Sequence, residues 1–541
     1  MKKNNKIKKE LKNIDIVSII FLLIAVFTVV YYMLGPSEGY LHSDCVDTMT
    51  WAWASVESGK LFSESFCYPY LLPFGGTFFV YPFVKLFGFT MFAYRFSMLM
   101  FTAALAAAVY FTARGMQWSR NTAFFAVGLE LIILSSSNKL RELFWEHIIH
   151  YSLGALLAFV LLALTLVLIK RCEYKGFNIK GDKRLIALSV LVFLWSFFST
   201  FNGVTTLALS TIPVVGALFI EVLIDTERKI FSKENRGIFI AFIIIIVSTL
   251  LGAVLFKALS EGIETGYGNA SSVISDSSEW SGNLMKFLQH WSSLLGADYK
   301  AGKSITDKEN IFAAIKLAGS LLIFLVPVYA LFIYNKFNRY EKIFLLFHWL
   351  MTAFVLYGYV LGNLSSVNWR LSPIIPSALM VNVCVWKTLF QDVSLKRFSF
   401  LLSALVICSG LVTVGQILNM PSDYGRDNDH HKAIELLEKN GLNYGYATYW
   451  NANILTLLSS SSVEVRDVNV DLEYPRKGWL NTDNLWYEDQ PNQDRYFFLL
   501  SNSEYDDLTE RNHVVLEDTI GVIREGNWVI LVKDRNLNWR Q

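Results

Sequence analysis

The chain has 541 residues, of which 53% are hydrophobic and 17% are charged, and its formal net charge is +2. This composition, with a mean hydropathy of +0.37, excludes an ordinary soluble domain. Runs of about 20 apolar residues, the length that crosses a bilayer, recur as far as residue 419. We therefore predict a mainly α, polytopic membrane protein, and we expect no nucleic-acid partner.

Eleven transmembrane helices are predicted. The first apolar run follows six lysines within residues 1–13 and is longer than the core of a signal peptide, so we interpret it as a retained signal anchor. The helices are expected at about residues 15–34, 90–112, 122–136, 151–169, 185–200, 203–223, 237–257, 311–334, 343–361, 371–389 and 398–419. An odd number of spans puts the two termini on opposite sides of the membrane.

The distribution of Lys and Arg predicts the orientation. If the N-terminus is cytoplasmic, the six inner segments hold 23 Lys and Arg, whereas the four outer loops hold 9 in a longer stretch of chain. Because positive residues gather on the cytoplasmic side, this asymmetry favours a cytoplasmic N-terminus. The C-terminus is then extracytoplasmic.

Two long outer loops, residues 36–89 and 258–310, interrupt the membrane part. Residues 47–59 predict a short helix whose aromatic face lies on the bilayer surface, and the prolines and glycines of residues 68–82 predict a break after it. Residues 284–295 predict an amphipathic helix in the second loop. Cys45 and Cys67 share the first loop, which fits either a disulfide or two free thiols.

The C-terminal tail is polar and predicts a separate fold. Residues 431–440 are typical of a helix with Gly441 as its C-cap, and residues 444–449, 463–470, 496–500 and 528–532 are typical of strands. We predict a transmembrane domain over residues 1–420 and a small extracytoplasmic α/β domain over residues 421–541.

Two acids and a histidine closely follow the first span: His42, Asp44 and Asp47. Membrane shielding raises the pKa of a carboxylate toward the range of a general base, so we predict that Asp44 and Asp47 are catalytic and that His42 binds substrate. The two acids are three residues apart, so a helix would put them on one face. In the structural alternative, Asp44 is the N-cap of the short helix and Asp47 is an ordinary polar residue beside it.

A second polar cluster follows the third predicted helix and contains Arg141, Glu142, Glu146, His147 and His150. Spacings of three and four residues put its acids and histidines on neighbouring helical positions. Such a set can bind a divalent metal, or it can bind a phosphate or sugar through Arg141 and the histidines. It equally fits a surface helix with ordinary polar ends. We predict substrate or phosphate binding for Arg141, Glu146, His147 and His150.

Two arginines lie at the ends of predicted spans. Arg370 precedes a helix in the segment Asn368-Trp369-Arg370-Leu371-Ser372-Pro373, where a charge is costly without a partner. A lipid phosphate suits an arginine fork, whereas the alternative is a side chain that extends to the head groups. Arg95, just inside the second span, is expected to pair with an acid of the first outer loop. No phosphate loop or dinucleotide fingerprint occurs, which argues against a nucleotide-driven pump.

The order of these parts resembles the GT-C superfamily of membrane glycosyltransferases, the group of the protein mannosyltransferases and the lipid A aminoarabinose transferase. The similar features are an acidic motif after the first span, Leu86-Phe87-Gly88 followed by Ala93-Tyr94-Arg95, an Ala-rich helix that ends at Arg114, and the segment Arg370-Leu371-Ser372-Pro373. The resemblance covers about residues 15–420. In many relatives Glu follows the first-loop Asp, but here Cys45 follows Asp44, which leaves Asp47 as a second acid.

The resemblance implies transfer of a sugar from a polyprenyl-phosphate donor to a glycan, lipid or protein acceptor on the outer face of a bacterial plasma membrane. Asp44 would take the proton of the acceptor hydroxyl, and Arg370, with Arg141 or His150, would hold the phosphate. No cofactor is required by this reaction, and a divalent metal stays open. Two alternatives remain, a transporter or flippase of lipid-linked sugars and a non-enzymatic membrane scaffold.

Overall fold

The computed structural model describes residues 15–175, 182–225, 228–267, 273–421, 428–491, 493–537 and 539. The lysine-rich segment of residues 1–13 lies outside the described residues. The helices of the first 420 residues are labelled α1 to α16 and are, in chain order, Ile16–Leu34, Ser43–Ser58, Gly76–Phe87, Met91–Gly115, Arg120–Ile133, Asn138–Arg141, His150–Lys175, Lys183–Ser199, Gly203–Leu209, Thr211–Ile224, Arg236–Leu259, Trp280–Leu294, Lys308–Phe332, Arg339–Val360, Ile374–Phe390 and Lys396–Leu418.

The prediction of a mainly α, polytopic membrane protein is confirmed. Within the described residues, eight helices are long and apolar enough to cross a membrane, and a bent pair, Arg120–Ile133 with Asn138–Glu146, raises the number to nine. Each of the eleven predicted segments contains a helix. Two of these helices, α10 with 14 residues and α15 with 17, are too short to count among the nine spans.

The first outer loop differs from its prediction in two ways. Helix α2 begins at Ser43 rather than near residue 47, and His42 is its N-cap, so the alternative that Asp44 caps this helix is wrong. The predicted break after it is confirmed over residues 68–75, which are not helical, but is wrong at Pro82, which lies inside α3. The aromatic face of α2 does not lie on a surface: Trp51 is buried and packs closely on Gly76. The sequence pattern could not show that α3 and the tail would cover this face.

The chain turns by 119° between α5 and the helical segment that contains α6. The backbone carbonyls at the turn need partners, because a buried carbonyl without a hydrogen bond is costly. Lys316 Nζ donates to Ser136 O at 2.7 Å and to Gln416 Oε1 at 2.6 Å, and Ser137 Oγ donates to Leu294 O at 2.6 Å. The turn therefore directs residues 138–150 back toward α2.

The tail forms a six-stranded mixed sheet with three helices. Its strands are β2 Tyr444–Thr448, β3 Glu464–Asn469, β4 Arg476–Lys477, β6 Tyr496–Ser501, β7 Gly521–Glu525 and β8 Trp528–Lys533, and its helices are α17 Asp429–Lys439, α18 Asn453–Leu458 and α19 Asn502–Glu510. The strand order is β4-β3-β2-β6-β8-β7; β2 runs parallel to β3 and β6, while β8 runs antiparallel to β6 and β7. The predicted α/β fold is thereby confirmed, although two strands, β4 and β7, were not predicted. The domain boundary near residue 420 stays a prediction.

A short strand pair joins the tail to the first outer loop. β1, Phe66–Cys67, pairs antiparallel with β5, Thr482–Asp483. Cys67 Sγ donates to Trp479 O at 2.8 Å, and all five cysteines are free, so Cys45 and Cys67 form no disulfide. The expected pairing of Arg95 is confirmed, since it forms an ion pair with Glu38 of this loop. The tail is thus attached to the loop that carries the acidic motif.

The contact between α11 and α8 leads to a stability prediction. A Cβ atom on Gly252 of α11 would lie only 2.4 Å from Phe197 O on α8, so the two backbones can approach only because this residue is glycine. We expect Gly252→Ala to lower the free energy of unfolding by about 1–3 kcal/mol, because the helices must separate. The measurement is the midpoint of thermal unfolding of the purified protein in detergent.

Gly415→Ala is the matched control for this variant. Gly415 also lies in a membrane helix, α16, but nothing lies within 4 Å of its added Cβ. The same substitution there should leave the midpoint unchanged or raise it slightly, because Ala favours a helix over Gly. Equal midpoints for the two variants would contradict the close packing of α8 on α11.

Candidate functional site

Asp44 lies in the first turn of α2 and is half-buried. Tyr449, which follows β2 in the tail, donates its hydroxyl hydrogen to Asp44 Oδ1 at 2.7 Å. Ser43 Oγ in turn donates to the backbone oxygen of Tyr449 at 2.6 Å. The predicted base is therefore held by a residue more than 400 positions away in the sequence.

Asp47 lies one turn further along the same face of α2 and is 6% exposed. Asn481 Nδ2 donates to its Oδ1 at 2.5 Å, and His147 Nε2 lies 3.5 Å from its Oδ2. Burial raises the pKa of Asp47 to about 6, although the neighbouring His147 opposes this. Asp47 therefore changes its charge close to physiological pH.

His42 faces the second polar cluster. Its Nε2 lies 3.3 Å from Glu142 Oε2, and Lys139 Nζ donates to Glu142 Oε1 at 2.7 Å. Burial disfavours the charged imidazole, but contacts with Cys45 and Glu142 outweigh burial and raise the pKa of His42. The carboxylate of Glu142 therefore favours the protonated form of His42.

Arg141 and Glu146 are both occupied by protein partners. Arg141 donates to Ser135 O at 2.8 Å and also to the side chain of Asn138, and its guanidinium lies 4.9 Å from the ring centre of Tyr32. Glu146 accepts a hydrogen bond from the Tyr32 hydroxyl. These contacts stabilise the turn after α5. The predicted role of both residues in substrate binding stays a prediction.

His147 and His150 are buried, yet their rings offer unused nitrogens. Within the described residues, His147 Nδ1 and His150 Nε2 have no hydrogen-bond partner, whereas His147 Nε2 has the 3.5 Å approach to Asp47 Oδ2. The His150 ring packs against Tyr151 at 4.0 Å and edge-on against Tyr70 at 5.4 Å between ring centres. Buried polar atoms without partners are rare in folded proteins, so these nitrogens are suited to a bound ligand.

Arg370 lies in the helical turn Asn368–Leu371 that precedes α15. Its guanidinium is 5.9 Å from the ring centre of Tyr151, and its buried Nε has no hydrogen-bond partner in the described part of the chain. No carboxylate of the described residues forms an ion pair with it, whereas Arg95, Arg171 and Arg339 each have such a partner. Arg370 is therefore available to an anionic ligand.

Tyr267 is close enough to the two acids and to Arg370 for their charges to act on it. Burial and the carboxylates of Asp44 and Asp47 raise the pKa of its phenol, and Arg370 opposes them, so all three charges act on this ring. Tyr267 is also 5.2 Å from Tyr70 between ring centres. We refer to Asp44, Asp47, Tyr267 and Arg370 as the acid–arginine site.

Sequence reasoning selected both acids and Arg370 but missed the tyrosines and Asn481. Tyr70 and Tyr267 belong to the two outer loops, and Tyr449 and Asn481 belong to the tail. No spacing rule links these segments, because tertiary folding alone brings them together. The many aromatic residues of the loops were visible in the sequence but gave no means of choosing among them.

A metal site is not formed by these side chains. Within the described residues, no group of three or more His, Cys, Asp and Glu side chains is arranged to hold a metal ion. Asp47 and His147 are a single pair with a 3.5 Å separation. A divalent metal at the second polar cluster therefore stays a prediction.

Comparisons with known proteins give structural likeness only. No protein-family model and no curated protein matches the sequence. The fold is similar to that of ArnT from Cupriavidus metallidurans in the apo state, with 11% identity and a TM-score of 0.49. It is also similar to ArnT bound to undecaprenyl phosphate, with 12% identity and a TM-score of 0.45. Each match covers 95% of this chain and 97% of the ArnT chain.

The fold is also similar to the Archaeoglobus fulgidus oligosaccharyltransferase tethered with an acceptor peptide, at 13% identity and a TM-score of 0.45. That match covers 83% of this chain, which spans only 63% of the length of the oligosaccharyltransferase. At these identities and TM-scores, no residue role is transferred from them.

The buried position of Asp47 predicts a pH dependence of stability. Because its pKa in the folded protein, about 6, exceeds the ordinary value of 3.8, the folded state binds the proton more tightly than the unfolded state. The contribution of protonated Asp47 to the free energy of unfolding is complete below about pH 4 and is lost as the pH rises through 6. Between pH 5 and pH 8, the free energy of unfolding of Asp47→Asn should therefore rise by about 1 kcal/mol relative to that of the wild type.

The measurement is the thermal midpoint of both proteins at the two pH values. Asp471→Asn, which changes an exposed acid of the tail, is the control and should follow the wild type at both. If the difference between Asp47→Asn and the wild type is the same at pH 5 and pH 8, Asp47 does not titrate as its burial requires.

Proposed function

We propose that this chain is a membrane glycosyltransferase that transfers a sugar from a polyprenyl-phosphate donor to an acceptor outside the cytoplasm, in a single displacement that inverts the anomeric centre. The proposal rests on the acid–arginine site, in which Asp44, Asp47 and Arg370 all act on Tyr267, and in which Arg370 has no ion-pair partner among the described residues. A transferase of this kind needs a proton acceptor and an anion site in one place. The coarse class, glycosyl transfer, is also that of the structural neighbours.

Arg370 supports a phosphate as the anionic part of the donor. A half-buried guanidinium without a carboxylate is costly, and phosphate matches its planar set of N–H donors. Arg370 lies just before the apolar helix α15, so a lipid phosphate could bind there while its hydrocarbon tail stays in the membrane. The unpartnered ring nitrogens of His147 and His150 would bind the sugar or phosphate oxygens beside it.

In the reaction that we propose, Asp44 takes the proton of the acceptor hydroxyl as its oxygen attacks the anomeric carbon. A new glycosidic bond forms while the bond between that carbon and the phosphate oxygen breaks, and the electron pair leaves with the lipid phosphate. Arg370 stabilises the charge on this leaving group. Asp47 is too deeply buried to meet the acceptor directly, so we assign it to holding His147.

We propose that the acceptor approaches Asp44 from a groove beside the tail. This groove of about 650 Å³ opens between the segment Gly39–Leu41 and the tail, where Asn451, Ser503, Asn527 and Trp528 contribute to its walls. Two of its lining residues, Leu41 and Asn451, lie three and two positions in the sequence from Asp44 and Tyr449. Amide, hydroxyl and indole groups of this kind suit a glycan, although a lipid or protein acceptor fits the same reaction.

We further propose that the N-terminus is cytoplasmic and that the acid–arginine site and the tail lie outside the cytoplasm of a bacterium. The excess of Lys and Arg on the inner segments supports this orientation. An alkaline phosphatase fusion at the C-terminus should be active, and an inactive fusion would contradict the orientation. A divalent metal is not needed for the proposed steps, and none is assigned.

Two other functions are less well supported. A flippase for lipid-linked sugars has no need of a paired acid and an unpartnered arginine at an outer surface, and a scaffold has no need of either. A change in the mass of surface glycans after deletion of the gene would support a transferase over a scaffold. Unchanged glycans would favour the scaffold.

The substitution Asp44→Asn tests the proposed base. It keeps the size of the side chain and an oxygen that can accept the Tyr449 hydrogen bond, but it cannot take a proton. In membranes that carry the chain and natural acceptors, given radiolabelled polyprenyl-phosphate sugars, we expect transfer to fall by about 10²- to 10⁴-fold. The measurement is the initial rate of label transfer from the donor.

Asp471→Asn serves as the control, because it removes the same charge from an exposed position of the tail. It should transfer sugar at the wild-type rate. Transfer by Asp44→Asn at more than a tenth of the wild-type rate, with normal amounts of folded protein, would show that Asp44 is not the base.

A further inference from the structure

Two side chains of the tail reach the two acids of the first outer loop. Tyr449 Oη donates to Asp44 Oδ1 at 2.7 Å, and Asn481 Nδ2 donates to Asp47 Oδ1 at 2.5 Å. Each acid thus has one oxygen occupied by a donor from the tail. Asp44 Oδ2 accepts no hydrogen bond from any described residue, which leaves it for the acceptor.

The direction of both hydrogen bonds is fixed by chemistry. Trp51 Nε1, which can only donate, lies 2.6 Å from Asn481 Oδ1, so the NH₂ end of the Asn481 amide must face Asp47. The Tyr449 phenol keeps its proton, because burial and the carboxylates of Asp47 and Asp44 raise its pKa. Both tail residues therefore offer a hydrogen to a carboxylate oxygen.

The backbones of these two residues are also held by the first outer loop. Ser43 Oγ donates to Tyr449 O at 2.6 Å, and Asn481 N donates to Cys67 O at 2.9 Å beside the β1–β5 pair. Asn481 is 1% exposed and has a φ of +54°, a left-handed conformation that side chains rarely adopt. Such a conformation persists only where the surroundings enforce it, and it often marks a functional position.

We propose that the tail is part of the catalytic site, in which Tyr449 and Asn481 are positioning residues: Tyr449 aims Asp44 at the substrate, and Asn481 holds Asp47 beside His147. The tail is then more than a surface that meets acceptors or the cell envelope. This inference rests on the proposed glycosyl transfer and adds residues to its site. It predicts that activity depends on two groups that the membrane part does not contain.

Kinetics of Tyr449→Phe test the proposal. This variant removes one oxygen atom and keeps the packing of the ring, so Asp44 keeps its place but loses the donor that orients it. We expect kcat to fall about 10- to 100-fold, because hydrogen bonds to charged groups are strong, while the donor KM stays within about twofold. Tyr505→Phe, on the tail helix α19, is the matched control and should match the wild type.

A second pair of variants addresses Asn481. Asn481→Asp preserves the acceptor for Trp51 but replaces the donor that faces Asp47 with a second carboxylate, so kcat should fall by at least about tenfold. Asn484→Asp introduces the same charge at an exposed position three residues away and should leave kcat unchanged. A purely structural role would instead lower the thermal midpoint and kcat together.

A measurement without catalysis separates this inference from the proposed function. Protein labelled with 3-fluorotyrosine is studied by ¹⁹F NMR, and the Tyr449 signal is assigned from its loss in Tyr449→Phe. Asp44→Asn should shift this signal, because it changes the partner of the phenol, while Asp15→Asn, at the start of α1, should not. A shift without any sugar transfer would disprove the proposed function but keep the contact.

Two outcomes would overturn the inference. An unmoved Tyr449 signal in Asp44→Asn shows that the tail does not bind the acid. A kcat of Tyr449→Phe within twofold of the wild type, or a loss equal to that of Tyr505→Phe, shows that the contact does not serve catalysis. A tenfold loss of kcat with an unchanged midpoint, together with the NMR shift, supports it.

Discussion

The burial of helix α2 is the constraint on which the rest of the molecule depends. This helix begins directly after the first membrane span, and its inner face packs on α3 while Trp51 and Asp47 bond to Asn481 of the tail. A buried carboxylate must be hydrogen-bonded or neutral, so Asp47 requires these neighbours. The strand pair β1–β5 and the Ser43–Tyr449 bond stabilise the same arrangement. Tail and membrane part therefore meet at the acids.

The bend after α5 supplies the other half of the site. Without it, residues 138–150 would continue along the axis of α5 and would not return to α2. Lys316 and Ser137 bind the turn to α12, α13 and α16, and the returning chain puts His147 beside Asp47. One buried lysine thus affects the position of a histidine that it does not touch. A straight helix at this point would bring no polar group near α2, whereas the broken helix brings His147 there.

The sequence was sufficient for the helices, because apolar periodicity and charge asymmetry depend on local composition. It was also sufficient to select Asp44, Asp47, His147 and Arg370, since each stands at the end of a predicted span. It was wrong about α2, whose aromatic pattern is the same whether Trp51 packs on a bilayer or on Gly76. Tyr449 and Asn481 could not be predicted, because more than 400 residues separate them from the acids that they contact. Their roles, like those of the other site residues, stay predictions.

The proposed reaction requires that Arg370 binds the phosphate of the lipid donor. This binding can be observed in a cryo-EM map of the full chain in nanodiscs with undecaprenyl phosphate. We expect phosphate density within about 4 Å of the Arg370 guanidinium, and its loss in Arg370→Gln. Arg524→Gln is a control, because that arginine also covers a tyrosine ring but belongs to the tail sheet. Phosphate density elsewhere, or unchanged density in Arg370→Gln, would show that Arg370 does not bind the donor.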